Sequence, residues 1–459
     1  MAKDHSPTKP HITGIGASIG SSHLEEDKAR LLDLELPRRI IDALAPHASD
    51  VRFCGGVVRD LMTGQLRWPN LDIDMASPMP PDQASAILKK AGLKVIPTGI
   101  THGTITVMKA SDPALKVELT TLRADAEHDG RHAKVSYIDD WLADAERRDF
   151  TFNSLYMTAS GDVFDPFDGL SDLEAGVVRF IGDPKDRLAE DYLRVFRYFR
   201  FYARFGKMPI DPQTATALSD ALAHIDILSG ERIASELEKI MQYQSLATIT
   251  MMDNLGVWQA LTGGQVWADH YADLLDLLVD DVGVIAGDET AQAILGLAVL
   301  MPADLCEGLA KRLKLSRKET QSLLRMATPL PAQQLDVLLS PNYRQECWRL
   351  CYRNSWSLAD VMGAFINSVI VRQTNLPAAK GLTGNDLRQQ ISRIAGAEWP
   401  AMPVNGNDIR DKLEAESAPY TGKQVGEILT ALEDIWVEQE FVPNRRTLLT
   451  RLDAICAKD

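Results

Sequence analysis

The chain has 459 residues, of which 25% are charged and 45% are apolar, and its formal net charge is −15. Its length suggests two to four domains, and its composition excludes wholesale disorder. The acidic balance lowers the expectation of a polyanionic partner, although a local basic groove in an acidic protein can still bind phosphate.

Cysteine usage and hydropathy indicate the compartment. The five cysteines are irregularly spaced, which predicts no disulfide framework and favours a reducing cytosol. The most apolar segment, near residue 291, is far shorter than the ~20 residues of a membrane span. We therefore expect a cytoplasmic protein without membrane association, and the sequence predicts no protein partner.

The predicted elements divide the chain into a mixed first part and a helical remainder. Residues 1–23 are rich in Ser, Gly, Pro and His and are predicted to form a mobile tail. Up to about residue 180, short β-branched runs such as 101–108 alternate with helical stretches. Beyond it, apolar residues recur at three- and four-residue spacing, as in 425–439, which indicates helices. The predicted fold class is α+β, with a small mixed sheet in the first part.

The first polar motif is FCGGVVRDLMTG (53–64). An apolar run ends at Gly55 and Gly56, and a helical pattern begins directly after them. Glycines allow unusual φ and close backbone approach, and the amides at a helix start suit a triphosphate. Arg59 is predicted to lie on the first turn, beside these phosphates. A tight turn before a surface helix is the alternative interpretation.

Two acids follow in LDIDMAS (71–77). Asp72 and Asp74 take positions i and i+2 of a predicted strand, so both carboxylates project from one face. Hard divalent cations relieve their repulsion, and such an edge can hold two Mg²⁺ ions about 3.5–4 Å apart. We predict both as catalytic metal ligands and Glu118, on a neighbouring strand, as a third catalytic acid. A solvent-facing strand position is the other interpretation of Glu118.

The third motif is ERRDFTFNSL (146–155), where two arginines and an acid precede an apolar run. Arg148 is predicted to neutralise triphosphate charge. Asp149 or Asn153 is predicted to hold the ribose. A capping or surface-pair role for Arg147 and Asp149 also fits the pattern.

The segment EDYLRVFRYFRFYARFG (190–206) is predicted to be one helix, with Asp191 one turn before Arg194. At 100° per residue, four arginines fall within about 120° of one another: Arg194, Arg197, Arg200 and Arg204. Such a stripe, with few acids opposite, repels itself unless an anion fills it, so it predicts anion binding. Three aromatic residues of the helix are predicted to pack in the core: Phe196, Phe199 and Phe205.

In order and spacing these motifs resemble class II tRNA nucleotidyltransferases, the CCA-adding enzymes, and the related bacterial poly(A) polymerases. The resemblance is strong over residues 30–240 and weak beyond. It implies a polymerase-β-like nucleotidyltransferase head followed by all-helical parts: a head (24–180), a neck that selects the base (181–240), a body (241–375) and a tail that binds RNA (376–459).

The resemblance implies template-independent addition of CCA to the 3′ acceptor end of tRNA from CTP and ATP, with Mg²⁺ as cofactor. Gly56 and Arg59 would contact the nucleotide and Arg148 its triphosphate. The implied nucleotide pocket also contains four residues: Asp191, Arg194, Arg197 and Arg200. In such enzymes an Asp and an Arg of this helix act as the template. Asp191 can accept from the exocyclic amino group of cytosine or adenine while Arg194 donates to the ring nitrogen.

Other functions fit parts of the pattern. A poly(A) polymerase shares the head and neck, but the acidic chain without a Lys/Arg-rich extension favours an enzyme for tRNA. A partial enzyme adding only CC or only A also fits. A small-molecule nucleotidyltransferase would not need the 190–206 helix. A non-catalytic RNA-binding scaffold has no use for the acid pair Asp72 and Asp74.

Overall fold

The computed structural model describes residues 21–47, 50–100, 103–109, 112–125, 135–278, 288–371, 383–397, 400–415 and 420–456. The chain forms two compact units, residues 1–221 and 222–459. Their boundary falls inside the segment predicted as a neck, so the predicted limits of neck, body and tail stay predictions. Residues 1–20 of the predicted mobile tail lie outside the described residues, and its last three residues begin a helix.

The first unit contains the described strands, nine of the described α-helices and two short 3₁₀ helices. The strands are β1 (Arg52–Cys54), β2 (Ile73–Ser77), β3 (Lys94–Gly99), β4 (Thr104–Lys109), β5 (Asp112–Thr121), β6 (Arg123–Asp125), β7 (Val135–Tyr137), β8 (Tyr156–Met157) and β9 (Val163–Phe164). The α-helices are α1 (Ser21–Leu32), α2 (Glu35–Leu44), α3 (Gly56–Met62), α4 (Pro81–Lys90), α5 (Trp141–Glu146), α6 (Gly169–Ala175), α7 (Pro184–Glu190), α8 (Arg194–Phe205) and α9 (Pro212–Ala221). Short 3₁₀ helices span Ala45–His47 and Thr151–Asn153.

Within the described residues, seven strands form one sheet in the order β3-β4-β5-β2-β1-β8-β9, and β6 pairs with β7 separately. The pairing of β2 with β5 is parallel, whereas β1 pairs antiparallel with both β2 and β8. The small mixed sheet predicted from the sequence is therefore confirmed. Its strands form because apolar residues alternate with polar ones, as where buried Val117 and Leu119 flank exposed Glu118.

Helix α8 is amphipathic, and its apolar face is aromatic. The predicted core residues Phe196, Phe199 and Phe205 are all buried, which confirms that prediction. Phe201 stacks edge-on against Phe150 and Phe152, with ring centroids 5.3 Å apart in both pairs. These contacts fix α8 against the segment that carries the third sequence motif.

The second unit is helical throughout its described residues. A 3₁₀ helix (Leu222–Ile227) precedes α10 (Gly230–Gln242), α11 (Leu246–Asn254), α12 (Val257–Thr262), α13 (Ala268–Leu278), α14 (Glu289–Leu300), α15 (Ala303–Leu313), α16 (Arg317–Ala327), α17 (Ala332–Leu338), α18 (Tyr343–Asn354), α19 (Leu358–Val371), α20 (Gly384–Ala395), α21 (Gly406–Ala415), α22 (Gly422–Glu438) and α23 (Arg445–Cys456).

Two apolar helices, α14 and α19, form the centre of this unit. Helix α14 is buried on nearly every side and contacts α10, α13, α16 and α19. The apolar segment near residue 291 is therefore a core helix. Among the described residues, no helix combines the length and apolarity that crossing a membrane requires.

Candidate active site

The turn between β1 and α3 depends on Gly55. Its φ of 62° and ψ of −121° form a backbone conformation that residues with a side chain rarely adopt. A Cβ at this position would lie 3.2 Å from Arg148 Nη1 and 3.7 Å from the carbonyl oxygen of Asn153. The glycine is therefore needed both for the turn and for the close approach of Arg148.

Two of the three predicted acids lie on the paired strands β2 and β5, and the third directly precedes β2. In the parallel pairing of β2 with β5, Asp74 lies opposite Glu118. Asp72 immediately precedes β2, so its predicted place inside the strand is wrong by one residue. The pKa of Asp74 is raised to about 6, first by burial and then by the charges of Asp72 and Glu118, against the opposing effect of Arg148. The acids thus form one electrostatically coupled cluster.

The chemistry of this cluster fits a hard divalent cation. Within the part of the chain that the structure describes, no three acidic, His or Cys side chains already converge as a metal cage. Carboxylates are the ligands that Mg²⁺ prefers, and a bound cation would offset both the burial and the repulsion that raise the pKa of Asp74. Asp72 and Asp74, with Glu118 on the adjacent strand, are the residues that could hold it.

Arg148 is held rigidly next to Gly55. Its Nε donates to Tyr156 Oη at 3.0 Å, its Nη1 to the carbonyl oxygen of Asn153 at 3.2 Å and its Nη2 to Asp144 Oδ2 at 3.3 Å. The side chain is 18% exposed, so it is held firmly but is not fully buried. A fixed, partly open guanidinium beside carboxylates suits a triphosphate.

A buried polar chain connects α3 to α8 through the third motif. Arg59 Nη1 donates to Asn153 Oδ1 at 2.7 Å, and Asn153 Nδ2 donates to Asp149 Oδ1 at 3.0 Å. Arg197 Nε donates to Asp149 Oδ2 at 2.6 Å. Burial alone would raise the pKa of Asp149, but Arg197 holds it below its usual value. Both carboxylate oxygens of Asp149 are thus engaged within the protein.

The guanidinium of Arg59 points into the protein. Arg59 is buried, pairs with Asp60 and stacks over the rings of Phe201 and Phe205, about 5 Å from their centroids. The sequence predicts Arg59 beside the phosphates on an open helix turn, whereas the structure buries it. The aromatic face of α8 turns this side chain inward, where it holds Asn153.

Three of the four arginines in the α8 stripe pair with acids from other elements. Arg194 pairs with Glu190 at 2.5 Å, Arg204 pairs with Asp60 at 3.0 Å, and Arg197 pairs with Asp149. Arg200 lies over the ring of Phe201, 4.4 Å from its centroid. The prediction that only a bound anion could relieve the repulsion is therefore wrong, because tertiary contacts supply carboxylates that the helix itself lacks.

Asp191 lies before α8 and not on it. The predicted helix 190–206 is interrupted after Glu190, where Asp191 is extended with φ −155° and ψ 105°. Its Oδ1 accepts the backbone N–H of Leu193 at 3.0 Å. An Asp side chain that captures a backbone amide competes with the helical hydrogen bond, which explains the break. Asp191 stays half-buried and three residues from Arg194.

Sequence reasoning missed Asp144, which accepts from both Arg147 and Arg148. The two arginines follow it at three- and four-residue spacing, the spacing of neighbours on one helix face. That spacing was the available signal. The ion pairs with Arg147 and Arg148 matter because Asp144 is buried, and this burial depends on tertiary packing that the local sequence does not show.

Two family models match parts of the chain. The Poly A polymerase head domain matches residues 51–179, and the probable RNA and SrmB binding site of polymerase A matches residues 207–262. The chain is 32% identical over 407 residues to a CCA tRNA nucleotidyltransferase 1 of Danio rerio that is named as mitochondrial, covering 88% of this chain and 87% of that protein. It is 29% identical to a CCA-adding enzyme of Levilactobacillus brevis, covering 78% of this chain and 88% of that protein.

Solved structures share the fold. The Bacillus stearothermophilus CCA-adding enzyme in complex with CTP aligns with a TM-score of 0.60 and 22% identity, covering 95% of this chain and 99% of that one. A Thermotoga maritima CCA-adding enzyme complexed with tRNA aligns with a TM-score of 0.57 and 19% identity, covering 95% of this chain and 98% of that one. At these identities the likeness establishes the α+β architecture with a helical remainder.

Proposed function

The chain belongs to the CCA tRNA nucleotidyltransferase family, and we propose that it adds C, C and A to tRNA 3′ ends from CTP and ATP with release of pyrophosphate. One observation supports this reaction at the described site. Asp74 and Glu118 face each other across β2 and β5, next to a glycine turn against which Arg148 is held. This arrangement supports the proposal, because carboxylates that could hold a metal and a guanidinium that could bind phosphate lie within one small region.

In the proposed reaction the RNA 3′-hydroxyl attacks the α-phosphorus of the bound nucleotide and pyrophosphate leaves. Nucleotidyl transfer in this family depends on a divalent metal. Asp72 and Asp74, aided by Glu118, would hold Mg²⁺, which when bound activates the hydroxyl and neutralises the leaving pyrophosphate. Arg148 binds the triphosphate and keeps it aligned. Positioning and charge stabilisation carry the rate, so no protein nucleophile is required.

Base selection is proposed to rest on Asp191 and Arg194. Cytosine and adenine both place an exocyclic amino donor beside a ring-nitrogen acceptor, which these two side chains match. Guanine and uracil present a carbonyl where Asp191 needs a donor, and an acceptor that the bound base covers without donating to it costs about 1–3 kcal/mol. The proposed pocket is completed by Gly56, Arg197 and Arg200. The polar chain of Arg59, Asn153 and Asp149 supports it.

The second unit is proposed to hold the tRNA acceptor end. RNA helices are recognised through phosphates and 2′-hydroxyls, so shape counts more than sequence. A cytoplasmic location is proposed from the cysteine usage. Because the Danio rerio relative is named as mitochondrial, fractionation of cells that express the tagged chain is the test of the compartment.

The deciding experiment supplies tRNA lacking its CCA end, Mg²⁺ and each nucleotide separately or together. Extension that stops at CCA is the expected result. Long A-tails would identify a poly(A) polymerase, CC alone or A alone a partial enzyme, and no incorporation a binding scaffold. Asp74→Ala should abolish incorporation, whereas the matched change Asp82→Ala, at an exposed acid of α4, should leave it intact.

A further inference from the structure

Asp144 joins three segments around the site through one buried carboxylate. It is 1% exposed and lies on α5. Its Oδ1 accepts from Arg147 Nε at 2.8 Å and from the backbone N–H of Arg123 at 3.2 Å. Its Oδ2 accepts from Tyr156 Oη at 2.6 Å and from Arg148 Nη2 at 3.3 Å. Four donors, from the end of α5, the start of β6 and β8, therefore converge on a single side chain.

The surroundings of this carboxylate favour its ionised form. Burial alone would raise the pKa of Asp144, but Arg148 and Arg147 hold it below its usual value. Hydrogen bonds between charged partners are shorter and stronger than neutral ones, so they fix geometry more firmly. Among the partners described for Arg148, Asp144 provides the carboxylate, while Tyr156 and Asn153 provide neutral oxygens.

We propose that Asp144 is a positioning residue for nucleotidyl transfer, which orients Arg148 so that its guanidinium meets the triphosphate at the Gly55 turn. This inference rests on the proposed function and deepens it, since Asp144 acts through Arg148 and not on the nucleotide. Arg148 Nη1 occupies the space that a side chain at position 55 would crowd, 3.2 Å from an added Cβ, so its place at the turn depends on the partners that hold the guanidinium.

The test is Asp144→Asn, which keeps the side-chain size and one oxygen acceptor. The new amide nitrogen cannot accept from the guanidinium, so Arg148 loses its charged partner. We expect KM for CTP and for ATP to rise about tenfold with kcat changed far less, because the lost orientation weakens phosphate binding. Inhibition by inorganic pyrophosphate should weaken by a similar factor, and KM for the truncated tRNA should stay near the wild-type value.

Asp172→Asn is the matched control. Asp172 is a buried acid of the same unit that accepts from Thr151 Oγ1 at 2.7 Å and from Arg179 Nε at 3.1 Å. We expect this variant to lose stability without a change in KM for CTP. If Asp172→Asn raises KM as much as Asp144→Asn does, or if Asp144→Asn lowers stability alone, the positioning role is refuted.

A second variant keeps the test informative if Asp144→Asn does not fold. Tyr156→Phe removes the hydroxyl that bridges Arg148 and Asp144 but leaves the carboxylate in place. It should raise KM for CTP by a smaller factor, and a wild-type KM would count against the proposal. Should the wild type add nothing to tRNA, the proposed function fails on its own. Calorimetric binding of pyrophosphate to wild type and variants then still decides whether Asp144 positions Arg148.

Discussion

Gly55→Ala and Gly56→Ala are expected to change the free energy of unfolding in opposite directions, although the two glycines are adjacent. Gly55 has φ 62° and ψ −121°, and a side chain held in such a sparsely populated region costs on the order of 1–3 kcal/mol. The new Cβ would also lie 3.2 Å from Arg148 Nη1, so the guanidinium must shift. We expect Gly55→Ala to lose about 2–3 kcal/mol.

Gly56 is the first residue of α3, and alanine fits there. A Cβ at Gly56 would lie 3.7 Å from Arg59 Nη2, an ordinary van der Waals distance. Because alanine restricts the unfolded chain more than glycine does, such a substitution typically gains about 0.4–1 kcal/mol. The two variants should therefore differ by about 3 kcal/mol.

Urea unfolding of both variants beside the wild type measures this difference. KM for CTP, measured on Gly55→Ala, reports the displacement of Arg148 separately from stability. Equal unfolding free energies for the two variants, within about 0.5 kcal/mol, would refute the reasoning. That result would mean that the turn relaxes to a conformation open to any residue.

Three further changes test the acids and the pocket. Asp74→Asn should stabilise the metal-free protein above pH 6. The folded-state pKa of Asp74, about 6, exceeds the ordinary value, so the wild type loses stability as pH rises towards 6. Thermal melting in a chelator measures this difference, and added Mg²⁺ should raise Tm for the wild type alone. Asp149→Asn should lower the free energy of unfolding by about 2–3 kcal/mol at pH 7. This loss is smaller than the usual loss for a fully buried ion pair, because Arg197 is 31% exposed. The lowered pKa of Asp149 makes its contribution disappear as pH falls below ~4, so a urea-unfolding deficit that persists unchanged at pH 3 contradicts the ion pair. Asp191→Ala should reduce discrimination against UTP and GTP about 10- to 100-fold in single-nucleotide incorporation, and unchanged fidelity would assign base selection to other groups.

Local periodicity was enough to predict the acidic strands. The alternation of Val117, Glu118 and Leu119 located an outward acid, and the strand character of β2 placed Asp74 near it. The one-residue error at Asp72 concerns a strand end, where pairing with neighbours decides the boundary. The buried aromatic face of α8 was predictable for the same reason, because residues three or four positions apart in the sequence lie on the same face of a helix.

Tertiary contacts were not predictable in the same way. The acids that neutralise the α8 arginines lie on other segments, so a helical projection of residues 190–206 could not include Asp60 or Asp149. In sequence, Asp144 and Arg148 resemble an ion pair on the surface of a helix. The burial of Asp144 arises only when α5 packs against β6. The break at Asp191 comes from a side-chain hydrogen bond that competes with helix propensity.

The parallel pairing of β2 with β5 gives the site an order of assembly. Antiparallel neighbours can form from a hairpin, but a parallel pair must wait for a long crossover, which here contains α4, β3 and β4. Contacts between distant segments form late because closing the intervening loop costs entropy. During synthesis, Asp74 therefore faces Glu118 only after the chain through β5 has been made and docked. A nascent or partly folded head lacks the full set of acids. The gain of Mg²⁺ affinity during refolding therefore reports the moment at which the sheet is complete.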